Sequence, residues 1–146
     1  MQVSTTRFGY LEVDADSLIS FPAGMLGLQD CRQWMLLSDT HNPALGWLQC
    51  TTRPDVALAV VSPRRYVPQY QLRVSRIELA PLELNDVNEA EVLAIVSRNH
   101  QAMTLNLKAP LVIHPEQRLG RQVIANGDMP VQYPLVMDRV MFRKSA

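Results

Sequence analysis

Residues 103–124 read MTLNLKAPLVIHPEQRLGRQVI, and the fold turns on how this stretch is patterned. Met103, Leu105 and Leu107 alternate with Thr104, Asn106 and Lys108, the period of two that marks a half-buried strand. Pro110 cannot donate to a ladder, so it belongs at a strand start, an edge or a bulge. Leu111, Val112 and Ile113 form a short apolar run rich in β-branched residues. His114, Pro115, Glu116 and Gln117 then read as a turn with proline at its second position. Gly120 loosens the chain, and Arg121 to Ile124 resume strand character. A single amphipathic helix is excluded because two prolines interrupt it. Two paired strands joined by a tight turn are therefore expected, as a nucleus for further strands.

Working outward, residues 92–96, 45–50, 32–38 and 18–21 carry short β-favouring runs. Residues 56–61 are apolar throughout and bounded by prolines, which favours a buried strand over a helix fragment. Residues 2–13 hold two such runs separated by Gly9, a hairpin or bent strand. Residues 70–74 are expected as a strand and 85–90 as a polar turn. One short helix is predicted in 75–84, with Ser75 as N-cap, Glu78 completing a capping box and Pro81 ending it. Residues 126–128, Asn-Gly-Asp, signal a turn, and 133–142 read as a last strand or a tail. Short strands with turns every eight to twelve residues, and ten prolines among them, predict an all-β chain. The expected architecture is a small closed β-barrel with at most one or two short helices, spanning 1–146 as a single domain.

Composition narrows the function. At 146 residues the chain buries about 68–70% of its unfolded surface, and with 47% apolar and 19% charged residues it is globular rather than disordered. Net charge is zero, which argues against direct nucleic-acid binding. The charge is uneven, however. No Lys or Arg lies between Ile77 and Ser97, whereas Glu78, Glu83, Asp86, Glu89 and Glu91 do, an acidic face suited to a basic partner. Cys31 and Cys50 are the only cysteines. They make neither a disulfide framework nor a zinc site and are expected as small buried residues. The start of the chain lacks a basic segment followed by an apolar run, and the longest apolar run is far short of the ~20 residues of a membrane helix. A cytoplasmic monomer without membrane contact is expected.

Chemistry is hard to find. His41, His100 and His114 sit at no metal-ligand spacing from one another or from a cysteine. His41 and His100 fall in loops and His114 ends a strand, so all three are expected to be exposed. No nucleophile elbow, nucleotide loop or carboxylate pair is present. No catalytic residue, cofactor or metal is therefore expected, and the residues argue for a binding protein.

Four segments carry a family resemblance. Residues 21–27 (FPAGMLG) resemble the FPxGIxGF segment of the flagellar assembly factor FliW family. Residues 47–50 (WLQC) resemble its WLQS strand, residues 104–113 (TLNLKAPLVI) its TxNLxAPIVIN segment, and residues 118–124 (RLGRQVI) its RxGxQVIL. Tyr133 falls where the family has a tyrosine. The order is the family's, and the matches span most of the chain. Two positions depart: His114 stands where the family usually has asparagine, and Leu28 where it has an aromatic.

The resemblance implies a β-barrel-like protein without catalytic activity. It implies binding to the RNA-binding translational repressor CsrA, which blocks the grip of CsrA on flagellin messenger RNA, and binding to flagellin itself. Excess flagellin would take up the factor, free the repressor and lower flagellin synthesis; export of flagellin would reverse this. Partner choice would follow affinities and free concentrations. Flagellin is expected to lay an apolar helix in a groove near Trp47, Met25, Leu26 and Tyr66, the competing reading of Trp47 being a core side chain. Glu78, Glu83 and Asp86 of the acidic stretch are expected to face CsrA. Gln49 and Asn106 are read either as partner contacts or as hydrogen-bond links to a neighbouring strand. Two rival classes remain: a small-ligand-binding β-barrel, and an enzyme using His100 or His114.

Overall fold

The computed structural model describes residues 1–99 and 102–135. Their strands are β1 (Gln2–Thr5), β2 (Gly9–Glu12), β3 (Ile19–Ser20), β4 (Gln33–Ser38), β5 (Leu45–Cys50), β6 (Ala57–Val61), β7 (Glu91–Arg98), β8 (Met103–Leu105), β9 (Leu111–His114), β10 (Leu119–Gln122) and β11 (Tyr133–Pro134). Strands β3 to β6 form an antiparallel meander, each turning back on the last as short loops require. β6 pairs with β7, β7 with β9, and β9 with β10. The ring closes where β10 runs parallel to β3, with Leu119 opposite Ser20 and the Ser20 amide donating to the Arg118 carbonyl at 2.9 Å. Seven strands thus make a closed barrel with no free edge along the ring. β1 and β2 form a separate hairpin, tied to the barrel by a 2.9 Å bond from the Thr6 amide to the Pro54 carbonyl.

The decisive stretch behaves as one strand broken in two. β8 pairs with the last residues of β7 and β9 with the first, along the same antiparallel course. Between them residues 106–110 bulge out. Asn106 holds the bulge: its side-chain oxygen accepts from the Lys108 and Ala109 amides at 3.1 and 2.9 Å, an Asx-type turn. Pro110 falls in the gap, where no ladder bond is needed.

Register dictates which side chains fill the lumen. Ile19 faces Trp34, Trp34 faces Cys50, Leu36 faces Leu48, Leu48 faces Leu58, Val60 faces Ile95, and Leu93 faces Leu111. Because side chains alternate along a strand, these positions share the inner face, with Leu36 at its exposed rim. Ile19, Phe21, Trp34, Leu48, Cys50, Val60, Leu111 and Ile113 form one buried cluster there, with Cys31. Both cysteines are buried and free, as expected. The outer face is apolar too. Leu45, Trp47, Val61 and Ala94 pack under Tyr70, Leu105, Leu107 and Leu135. Val112 and Val123 pack under Leu82 and its neighbours from residues 72–84.

Several expectations change. Gly120 has no loosening role: a Cβ there would stand 2.4 Å from the Phe21 ring, so glycine is required for the aromatic to lie against β10. Residues 70–74 are not a strand; they run irregularly over the barrel wall. The helix forms as α1 (Arg76–Leu79), a single turn, and Ser75 makes no side-chain cap. Glu78 does not close a capping box. Its carboxylate accepts from the Ile124 amide of the barrel at 3.1 and 3.3 Å. A 3-10 turn, Ala80–Leu82, follows through Pro81. The capping box lies instead in the expected polar turn, where Asp86 caps the 3-10 turn Val87–Glu89 and Glu89 reaches back to the Asp86 amide. Of residues 133–142, Tyr133–Pro134 pair with β8; the remainder, like His100, lies outside the described residues. No helix among the described residues is long and apolar enough to cross a membrane.

Candidate interaction surface

The acidic stretch forms a ledge on the outside of the barrel. Leu79, Leu82, Leu84 and Ala90 anchor it against Val112 and Val123, and the acids of the segment point away from that contact to differing degrees. Glu83 is exposed and adopts a left-handed backbone with φ 56°. Asp86 is exposed, with one carboxylate oxygen accepting from the Asn88 amide at 2.9 Å. Glu91 is exposed at the start of β7. Glu78 is committed to Ile124, and Glu89 accepts from the Asn85 and Asp86 amides, both at 2.8 Å. Two large apolar side chains interrupt the acids, Ile77 at 84% exposure and Val87 at 71%. Beneath the ledge a cleft of about 400 Å³ opens between Leu72, Leu84, Val87 and the barrel residues Val92 and Val112. Exposed acids here surround uncovered apolar groups.

The other expected contacts are placed elsewhere. Trp47 is 6% exposed. Its indole donates to Asp39 Oδ1 at 3.1 Å, Phe8 meets it edge-on at 6.0 Å, and the Arg7 guanidinium lies 4.3 Å above its ring. Tyr66 packs half-buried on the same outer cluster, and burial pushes its phenol above the ordinary value. Met25 is buried in the lumen cluster while Leu26 is exposed, so Trp47 and Tyr66 share one cluster and Met25 belongs to another; no common groove unites them. Gln49 is corrected from a partner contact to an inner one. It is fully buried, and its amide donates to the carbonyls of Cys50, Arg53 and Pro54 at 3.0–3.4 Å, folding the β5–β6 turn. Asn106 is committed to the bulge. His114 is corrected as well. It is 2% exposed, with Nδ1 2.9 Å from the Leu82 carbonyl and Nε2 3.6 Å from Glu89 Oε2. Sequence reading missed this because its partners come from residues 82 and 89, far along the chain. Apolar side chains pack together in the lumen, and the cleft beside the ledge lies outside the barrel.

The FliW protein family model matches residues 2–135. The chain belongs to the FliW family. The flagellar assembly factor FliW of Natranaerobius thermophilus is 31% identical over 143 residues, covering 95% of both chains. That of Bdellovibrio bacteriovorus is 33% identical over 138 residues, covering 92% of this chain and 79% of its own. A crystal structure of the flagellar assembly factor FliW superposes with a TM-score of 0.85 at 24% identity over 95% of this chain and 99% of that one, which bears out the barrel. The FliW motifs prove to be largely architectural. Phe21 lies on Gly120, and Gln49 and Asn106 each hold a turn. Gln122 stitches two of the segments, its Oε1 accepting from the Leu26 amide at 2.8 Å and its Nε2 donating to the Ala109 carbonyl at 3.1 Å. The relatives that carry the FliW name are flagellar assembly factors. The acidic ledge, residues 78–91, lies outside these motifs.

Proposed function

We propose that this chain acts in the cytoplasm as a CsrA antagonist. It binds the translational repressor on the acidic ledge, keeps it from flagellin messenger RNA, and gives it up when flagellin binds. The observation that carries this reading is the ledge itself: Glu83, Asp86 and Glu91 exposed beside Val87, in a stretch without a basic residue between Ile77 and Ser97. An RNA-binding repressor must be basic where it holds phosphates, so charge complementarity supports the pairing. Flagellin and CsrA then exchange by mass action. If CsrA stays able to hold RNA while bound, the factor and RNA must weaken each other by one and the same coupling energy.

The test is a binding measurement with purified CsrA and flagellin from the same cell. The chain is expected to capture CsrA, and added flagellin to displace it. The double variant Glu83→Gln, Asp86→Asn removes two charges while asparagine preserves the cap. Its association rate with CsrA should fall several-fold at low salt, and the difference should shrink at about 0.15 M salt, where screening reaches ~8 Å. Failure to capture either protein would overturn the proposal. A rate unchanged by the variant and by salt would remove the ledge from it.

A further inference from the structure

We propose that His114, Glu89 and Glu116 bind one divalent transition-metal ion of the zinc class. His114 Nδ1 sits 2.9 Å from the Leu82 carbonyl oxygen, and only an N–H can satisfy a carbonyl, so in the neutral ring the proton is on Nδ1 and Nε2 carries the lone pair. That Nε2 is buried and has no hydrogen-bond partner among the described residues. It faces Glu89 Oε2 at 3.6 Å. A lone pair and a carboxylate oxygen are both acceptors, so the contact is favourable only with a proton or a metal ion between them.

The donor set indicates which cation. Glu116, in the turn that follows β9, brings its carboxylate in, so that one donor atom from each of Glu89, His114 and Glu116 lies within 4.8 Å of the others. Donors on one tetrahedral ion with bonds of ~2.1 Å stand about 3.4 Å apart, and the His114–Glu89 separation already has that value within 0.2 Å or so. Glu116 is exposed, and its side chain is free to close the remaining distance. One imidazole nitrogen and two carboxylate oxygens suit zinc, cobalt or manganese better than calcium or magnesium, which prefer oxygen alone.

Outer contacts hold the donors in place, as metal sites require. Leu82 fixes the tautomer and ring plane of His114. The amides of Asn85 and Asp86 occupy Glu89 Oε1 and leave Oε2 turned to the histidine. Three ligands leave a fourth position for water. The bound ion would staple the ledge to the β9–β10 turn, joining residues 89 and 116 across the barrel wall.

Calorimetric titration of the purified chain with zinc chloride tests this directly. One equivalent is expected to bind and to raise the melting temperature. His114→Asn should weaken binding by at least ~10-fold and abolish the thermal shift. Glu116→Gln, a change at an exposed turn that leaves folding intact, should weaken binding several-fold, and His41→Asn, in an exposed loop, should change nothing. With cobalt in place of zinc, the visible bands should appear without a thiolate charge-transfer band. Binding that survives both His114→Asn and Glu116→Gln, or a thiolate band assigning the ion to Cys31 and Cys50, overturns the proposal. So does the absence of binding together with a doubly protonated His114 ring in the nitrogen-15 spectrum, which would make the contact a plain ion pair with Glu89.

Discussion

A missing methyl group and a buried thiol decide much of the local energetics. At Gly120 any larger residue must displace the Phe21 ring, itself fully buried in the lumen. Gly120→Ala should therefore destabilise the fold by about 1–3 kcal/mol through overpacking, read as a lower urea midpoint at unchanged slope. Cys31 is buried, and burial, followed by its hydrogen bond to Cys50, pushes its thiol up from 9.0 to about 11. Burial likewise raises the phenols of Tyr66 and Tyr70. In each case the unfolded chain loses its proton first, so above pH 9 the folded state holds more protons, and stability must fall as pH rises towards 11. Cys50 is lowered although burial, the largest influence, opposes it; hydrogen bonds from Thr52 and Cys31 prevail. Its stabilisation grows until pH has passed the ordinary value of 9.0 and then levels off, so it does not cancel the decline that continues towards 11. Urea titrations between pH 8 and 11 should show the loss, shallower in Cys31→Ala. At this scale the sequence was readable for residue type and not for partner. That the cysteines are small and buried followed from their number and spacing, whereas the burial of His114 depends on Leu82 and Glu89, which nothing local to residue 114 announces.

Among the elements, the broken strand β8–β9 carries the most information. Asn106 supplies the only described acceptor for the Lys108 and Ala109 amides, so Asn106→Ala leaves two partly buried donors unmatched. A loss of about 1–3 kcal/mol is expected, with Asn106→Asp retaining most of the stability because the acceptor remains. Parallel denaturation of the two variants checks this. The alternation of Met103, Leu105 and Leu107 predicted a strand correctly as far as Leu105, and all three are buried. The bulge was foreshadowed by Pro110 alone. The helix shows the reverse case. Ser75 and Glu78 have capping-box spacing, and so do Asp86 and Glu89. Only the second pair forms, because Ile124 recruits Glu78 from across the fold. Spacing sets out what a local contact is able to be, and competition from distant backbone groups decides whether it is made.

Over the whole molecule, closure rests on little. The β4–β5–β6 meander is paired over five residues at each ladder, whereas the β3–β10 seam has one parallel pair. Opening of the barrel should begin there. In native-state hydrogen exchange the Ser20 amide is expected to exchange well before those of Leu48 and Val60, and equal protection would show that the seam opens only with global unfolding. Barrel closure itself was legible from strand number and turn spacing. The strand order was not, since β3 meets β10 across a hundred residues of chain, and no local pattern encodes that pairing.

The two indole rings lie in separate compartments, Trp34 inside the lumen with no exposure and Trp47 on the outer wall beneath Arg7 and Phe8. They are therefore two independent optical reporters in one polypeptide. Emission from a Trp34→Phe variant follows the undocking of the amino-terminal ribbon, while emission from Trp47→Phe follows the loss of the barrel interior. If the ribbon releases first, the former will redden at lower denaturant than the latter, and the order of events can be watched without any added dye.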